Sequence, residues 1–220
     1  MKLAAIPALL IGLAGASPSP QPSATLAPAR DASEVLARVA GTQTPLTSYQ
    51  VPVVISGSVK VAFFSVPFTV HGMQYFKAPN KQAMRLSDAP SLAQGFQNAV
   101  STMGCPAAWQ STYDIALQGT QPRRKHLSYV LVGTPKQHAN VKSFTMLVGT
   151  KSDVIEAVDF AYNNGAALDV EFGHHHSNPY HLPTSATIAA HFPQYNGGAT
   201  VLYGTYQINV PIPDSAFQKE

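Results

Sequence analysis

The chain holds one cysteine, Cys105, and one tryptophan, Trp109, in 220 residues. A lone cysteine closes no internal disulfide, so the fold must hold by packing alone even in an oxidising compartment. Cys105 reads as a small buried hydrophobe. Gly104 and Pro106 flank it, and no His or Asn stands near it in sequence to activate the thiol. Charge is scarce too. Asp, Glu, Lys and Arg make up 11% of the chain, against a usual ~25%, so Ser, Thr, Gln, Asn and Gly must cover most of the surface. The formal net charge of +3 is too weak to argue for a nucleic-acid partner. The one basic run, Arg123-Arg124-Lys125, follows Gln121-Pro122 and reads as a solvated turn able to meet anionic lipid.

Signatures of catalysis are missing as well. There is no GxSxG nucleophile elbow, no HExxH pattern and no Gly-rich phosphate loop, and Cys105 has no partner by motif. Asp114, Asp159 and Asp169 are the carboxylates that could work as acid and base. Strand alternation places Asp159 and Asp169 on a polar face, where solvation is the simpler role. The most suggestive cluster is His174-His175-His176, with His181 and His191, because imidazole is the commonest transition-metal ligand. Adjacent strand residues point to opposite faces, however, and Asn178-Pro179-Tyr180 marks a loop. The three histidines therefore stand as weak metal candidates. The chain is expected not to be an enzyme and to carry no cofactor.

What is present begins with an address. Lys2 precedes the apolar run Leu3–Leu13, and Ala14-Gly15-Ala16 supplies the small residues a signal peptidase reads. Residues 1–16 are expected to be a secretory signal peptide. The run is shorter than the roughly 20 residues of a spanning helix, and Pro7 interrupts it. No cysteine follows that could take a lipid. Residues 17–30, SPSPQPSATLAPAR, hold too little apolar surface to repay ordering and are expected to be a flexible tether. Residues 31–220 then form a single domain of comfortable size. The expected location is the periplasm or the exterior.

Asp31-Ala32-Ser33-Glu34 has capping-box spacing, and Val35, Leu36 and Val39 make one apolar stripe, so a short helix runs to about Gly41. Val51–Ile55, Val59–Val70 and Gly72–Phe76 read as extended, with Val59–Val70 apolar on both faces. Pro52 and Pro67 argue against a regular central ladder at those points. A second helix is expected from Ser91, with Leu92, Phe96 and Val100 at four-residue spacing, ending at Met103–Pro106. Strands follow at 112–118, 126–133, 141–149, 154–162, 166–173, 184–192 and 199–210. In the hairpin around Asn163-Asn164-Gly165, a three-residue loop pairs Phe160 with Leu168 and Val158 with Val170, and keeps one face apolar. A two-residue turn would set Phe160 against Asp169. In the last strand Leu202, Tyr206, Ile208 and Val210 are read as sharing a face. Short connections predict an antiparallel meander. Two short helices cannot cover so many strands fully, which predicts a groove or cavity between helix and sheet.

The segment from Gly72 to Lys81, GMQYFKAPNK, followed by Met84-Arg85-Leu86, resembles a strand, Pro turn and next strand of the LolA-like superfamily of periplasmic lipoprotein carriers and their relatives. The C-terminal run from Tyr206 to Phe217, YQINVPIPDSAF, is similar to the closing strand and tail of those relatives. The helix at Asp31 stands where their first helix does. The resemblance implies an α+β, mostly β fold: an open half-barrel of antiparallel strands covered by short helices. It also implies a cavity for lipid or lipoprotein acyl chains. Phe63, Phe64, Val66, Phe68, Val70 and Phe96 are the expected apolar cavity residues. The expected partners are a lipid or an acylated lipoprotein and a membrane surface, with the chain itself a monomer. The alternatives are an envelope interaction domain without ligand and a metal protein built on His174–His176.

Overall fold

The computed structural model describes residues 31–61, 63–79, 81–87, 106–174 and 180–218. The expected signal peptide, the tether, the helix from Ser91 with Phe96, and Cys105 lie outside them, as do His175 and His176.

Helix α1 runs from Ala32 to Thr42. Its N-cap is the expected one: Asp31 Oδ1 accepts the backbone N–H of Glu34 at 2.9 Å and the Ser33 hydroxyl at 2.6 Å, satisfying a helix-end donor that has no intrahelical partner. The Glu34 carboxylate turns down the helix to Arg38, 2.6 Å away, instead of closing the box. Val35, Leu36 and Val39 form the buried stripe. Strands β1 (Ser48–Val61), β2 (Phe64–Lys77) and β3 (Lys81–Ser87) follow. Helix α2 (Pro106–Thr112) then leads into β4 (Tyr113–Arg123), β5 (His126–Pro135), β6 (Val141–Gly149) and β7 (Ile155–Tyr162). Strands β8 (Ala167–His174), β9 (Pro183–His191), β10 (Asn196–Tyr203) and β11 (Gln207–Ile208) complete the sheet, before a 3-10 turn at Asp214–Phe217.

All eleven strands join one open, curved antiparallel sheet in the order β3-β2-β1-β10-β9-β8-β7-β6-β5-β4, with the short β11 also on β1. The sheet does not close; β3 and β4 are its edges. The chain thus starts mid-sheet, builds one wing with β1 to β3, crosses to the far edge, and meanders back until β10 meets β1. Helices α1 and α2 pack on each other and on β4. The inner face is the apolar one. In β1, Tyr49, Val51, Val53, Ile55 and Val59 are all buried, as period-2 alternation requires, each contributing roughly 1.5–3 kcal/mol of burial.

The β7–β8 hairpin has the predicted register: Val158 faces Val170 and Phe160 faces Leu168. The loop is Asn163-Asn164-Gly165. Tyr162 N–H bonds the Ala166 carbonyl at 2.9 Å across it, and Gly165 takes φ +81°, which favours glycine.

Three expectations need correction. Val59–Val70 is not one strand greasy on both faces. The chain turns back between Val61 and Phe64, and Val59 pairs with Val66 and Val61 with Phe64. Turning back swaps odd positions for even ones, so the two apolar sets merge into a single face. Second, Pro52 does lie in a central strand. Its carbonyl accepts Gly204 N–H at 2.8 Å, so its nitrogen faces the interval between β10, which ends at Tyr203 opposite Val53, and β11, which begins at Gln207 opposite Gln50. No ladder bond is lost there. Pro67 sits beyond the reach of β3, whose pairing stops at His71. Third, the last strand breaks at 204–206, and Val201 and Tyr203 face inward while Leu202 is 55% exposed.

Candidate functional site

The space between the helices and the sheet divides in two. Under α2 an aromatic cluster fills it. Trp109 meets Phe144 edge-on at 4.9 Å, and Tyr113 and Phe160 at 6.5 Å each. Tyr113 also meets Phe144 at 5.0 Å. Gly133 makes room for this cluster, since a Cβ there would run into the Phe144 ring. Toward the end where β1 begins, the filling is incomplete. A cavity of about 140 Å³ lies between α1, Trp109 and the strands, walled by Val39, Tyr49, Val158, Phe172 and Tyr203 among others. A second hollow of about 260 Å³ shares Val39 and Gln43 with it and runs beside the end of α1 past Leu46, Phe76 and Pro79. The last turn of α1 is therefore the partition between two spaces.

The walls are neutral and mixed. Among the described residues no Asp, Glu, Lys or Arg lines the inner cavity; its polar groups are Thr42, Gln43, Gln74, Gln82, the two tyrosines and the imidazoles of His174 and His181. Tyr49 stacks on Phe76 at 5.3 Å and meets Tyr206 edge-on at 5.3 Å. Burial pushes the Tyr203 phenol up to about 12. Burial raises Tyr206 as well, with Tyr49 and Tyr203 adding to it, and its hydroxyl donates to the Pro183 carbonyl at 2.7 Å. Such walls accept hydrocarbon with a neutral polar group; they hold no charged group for a headgroup phosphate.

The residues expected to line a cavity are dispersed. Val70 is in the core and Phe68 is half-buried against it. Phe63 and Phe64 stand at the β1–β2 tip, 97% and 75% exposed, and Val66 is 49% exposed. They continue the apolar inner face outward, past the part the described helices cover. Phe96 is outside the described residues. The residues that do line the cavity come from both described helices and from β1, β2, β3, β7, β8, β9 and β10; the signal of those on strands was inward alternation, which does not distinguish packed core from cavity wall.

His174 sits between two carbonyl oxygens. Its Nδ1 lies 2.9 Å from the His181 carbonyl oxygen and its Nε2 2.9 Å from that of Ile155. The ring N–H donates to one of these carbonyls, which lie on β7 and on the approach to β9. Among the described residues no three metal-capable side chains converge. The basic run is a pairing site more than a solvated turn: Arg123 reaches Glu171 at 3.0 Å and Glu156 at 3.7 Å. Ser128, fully buried, donates to Glu156 at 2.6 Å.

No protein-family model matches the sequence, and no curated protein matches it significantly. Solved structures do. A DUF1329 family protein from Desulfovibrio piger superposes with a TM-score of 0.61 at 12% identity, over 84% of this chain and 95% of that one. A LolA superfamily protein from Nitrosomonas europaea gives 0.58 at 14% identity, over 87% and 99%. A domain from Vibrio parahaemolyticus described as an outer-membrane lipoprotein-sorting protein gives 0.58 at 11%, over 84% and 94%. The fold is LolA-like: an open curved sheet with few helices, shared over most of both chains.

Proposed function

We propose that this protein is a periplasmic carrier or sensor that binds lipid or lipoprotein acyl chains without catalysis, in the cavity between α1 and the sheet. The observation that carries this reading is the incompletely filled interior beside α1, walled by apolar and neutral side chains. Its about 140 Å³ is below the ~300–1,000 Å³ of ordinary ligand sites. Loading therefore requires α1 to move away and merge the cavity with the hollow beside it. Each methylene taken from water contributes about 0.8 kcal/mol, which favours long chains over short ones. The LolA-like fold supports the reading, since the Vibrio domain of the same fold is described as lipoprotein-sorting.

The exposed Phe63–Phe64 tip has a place in this function as the point of contact with a membrane. Aromatic side chains suit the bilayer interface, and Lys60 adjoins them with no carboxylate between residues 60 and 70. The rival reading, an envelope interaction domain, keeps the tip for a protein partner and the cavity empty. Mass spectrometry of lipid extracts from protein purified out of the envelope separates the two. The carrier reading expects stoichiometric acyl lipid; protein that is bare and takes up no lipid from vesicles overturns it.

A further inference from the structure

Among the inward positions of β2, Gln74 is the anomaly. It pairs with Val51 on one side and Met84 on the other, both buried, and it is 5% exposed. Hydrocarbon occupies the comparable positions at Val70 and Phe76. The Gln74 amide is half satisfied: Nε2 donates to the Tyr49 hydroxyl at 3.0 Å, while Oε1 is shut away from water and has no hydrogen-bond partner among the described residues. Gln74 is also part of the cavity wall, beside Tyr49 and Gln82. A buried acceptor without a partner destabilises the protein that carries it, and an apolar side chain of similar shape would remove that cost. A carbonyl oxygen placed in this row makes sense if something that enters the cavity completes it.

We infer that the ligand carries a hydrogen-bond donor, a hydroxyl or an amide N–H, close to its apolar chain, and that Gln74 accepts that bond. The inference rests on the carrier reading and narrows it. Plain hydrocarbon or an ester-only lipid leaves Oε1 unsatisfied, whereas a hydroxylated or amide-linked acyl group satisfies it. The neutral side chains that line the wall among the described residues agree with a neutral donor. Selectivity of this kind is strong because the analogue lacking the donor strands a buried polar atom.

The test uses two isomeric probes, 1-dodecanol and undecyl methyl ether, each displacing the neutral fluorophore N-phenyl-1-naphthylamine. The alcohol is expected to bind about tenfold tighter than the ether, the worth of one such bond. In Gln74→Met the preference should fall to parity while fluorophore binding persists. Tyr49→Phe keeps the amide and should keep the preference, which guards against a mere packing effect. Equal binding of alcohol and ether by the unaltered protein, or a preference that survives in Gln74→Met, overturns the inference and leaves the carrier reading standing. Failure of the fluorophore and both probes to bind overturns the carrier reading itself.

Discussion

Trp109 joins the packed half of the interior to the hollow half, so its removal should be felt twice. The indole is buried and meets three aromatic rings, the nearest at 4.9 Å. Truncating a buried Trp to Ala costs roughly 3–5 kcal/mol, which already includes its share of the cavity left behind. That is a large part of the ~5–15 kcal/mol that stabilises a domain. With a urea slope of about 2 kcal/mol per molar for a domain this size, Trp109→Ala should move the midpoint down by about 1.5–2.5 M, read by far-UV circular dichroism. The same change opens the cavity toward Phe144 and Phe160. The variant should then prefer longer acyl chains than the parent in displacement titrations at low denaturant. A midpoint shift under about 0.5 M would show that the aromatic cluster is not packed as described. An unchanged chain-length optimum would show that Trp109 is not the wall between the two halves.

Other predictions follow from the outer face and the ends. Asp159 lies directly opposite Asp169, and its carboxyl is held above the usual range by partial desolvation and then by Asp169, with Arg123 opposing. A raised folded-state value means that its contribution is intact below the ordinary carboxylate range and is lost as pH rises through the raised value. Asp159→Asn should therefore raise the melting temperature at pH 7, by the equivalent of a few tenths of a kcal/mol given its exposure, and leave it unchanged near pH 3; a gain of equal size at both pH values contradicts the assignment. His174→Phe removes the imidazole N–H from between the His181 and Ile155 carbonyls and should lower stability by about 1–3 kcal/mol in denaturant melts. Zinc should leave the parent's melting temperature unmoved, and a zinc-dependent rise lost in the variant would restore the metal reading. Phe63→Ser with Phe64→Ser should change stability by no more than about 0.5 kcal/mol yet abolish co-sedimentation with anionic vesicles; undiminished vesicle binding removes the tip from the function.

Much of the sheet was legible because one buried face imposes a period of two. The Phe160–Leu168 pairing was readable from sequence, since any other register would bury Asp169. The cap at Asp31 was readable because few residue types accept a helix-end N–H. The turn between Val61 and Phe64 was not, because no Gly, Asn or Pro marks it and VKVAFFSVPFTV carries apolar residues on both sides of the fold. Helix α2 was not legible because Pro106, its first residue, equally suits the end of the helix expected from Ser91; Pro can stop one helix and start another. The phase error at Leu202 came from extending one alternation across the break at Gly204. The cavity lay beyond sequence altogether. Tyr49, Val158, Phe172 and Tyr203 alternate inward like any core residue, and only the space between them separates wall from core. Gln74 stood within the stretch that resembles the superfamily, and its meaning emerged once Oε1 was found without a partner among the described residues.

Trp109 offers the most direct test of the central claim, because it is the chain's one tryptophan and it lines the cavity. Bromine on an acyl chain quenches indole emission only near contact. Titration with a long-chain alcohol brominated along its chain should quench Trp109 saturably, and the unbrominated alcohol should compete that quenching away. Emission that stays constant through the titration would contradict an acyl-binding interior beside α1.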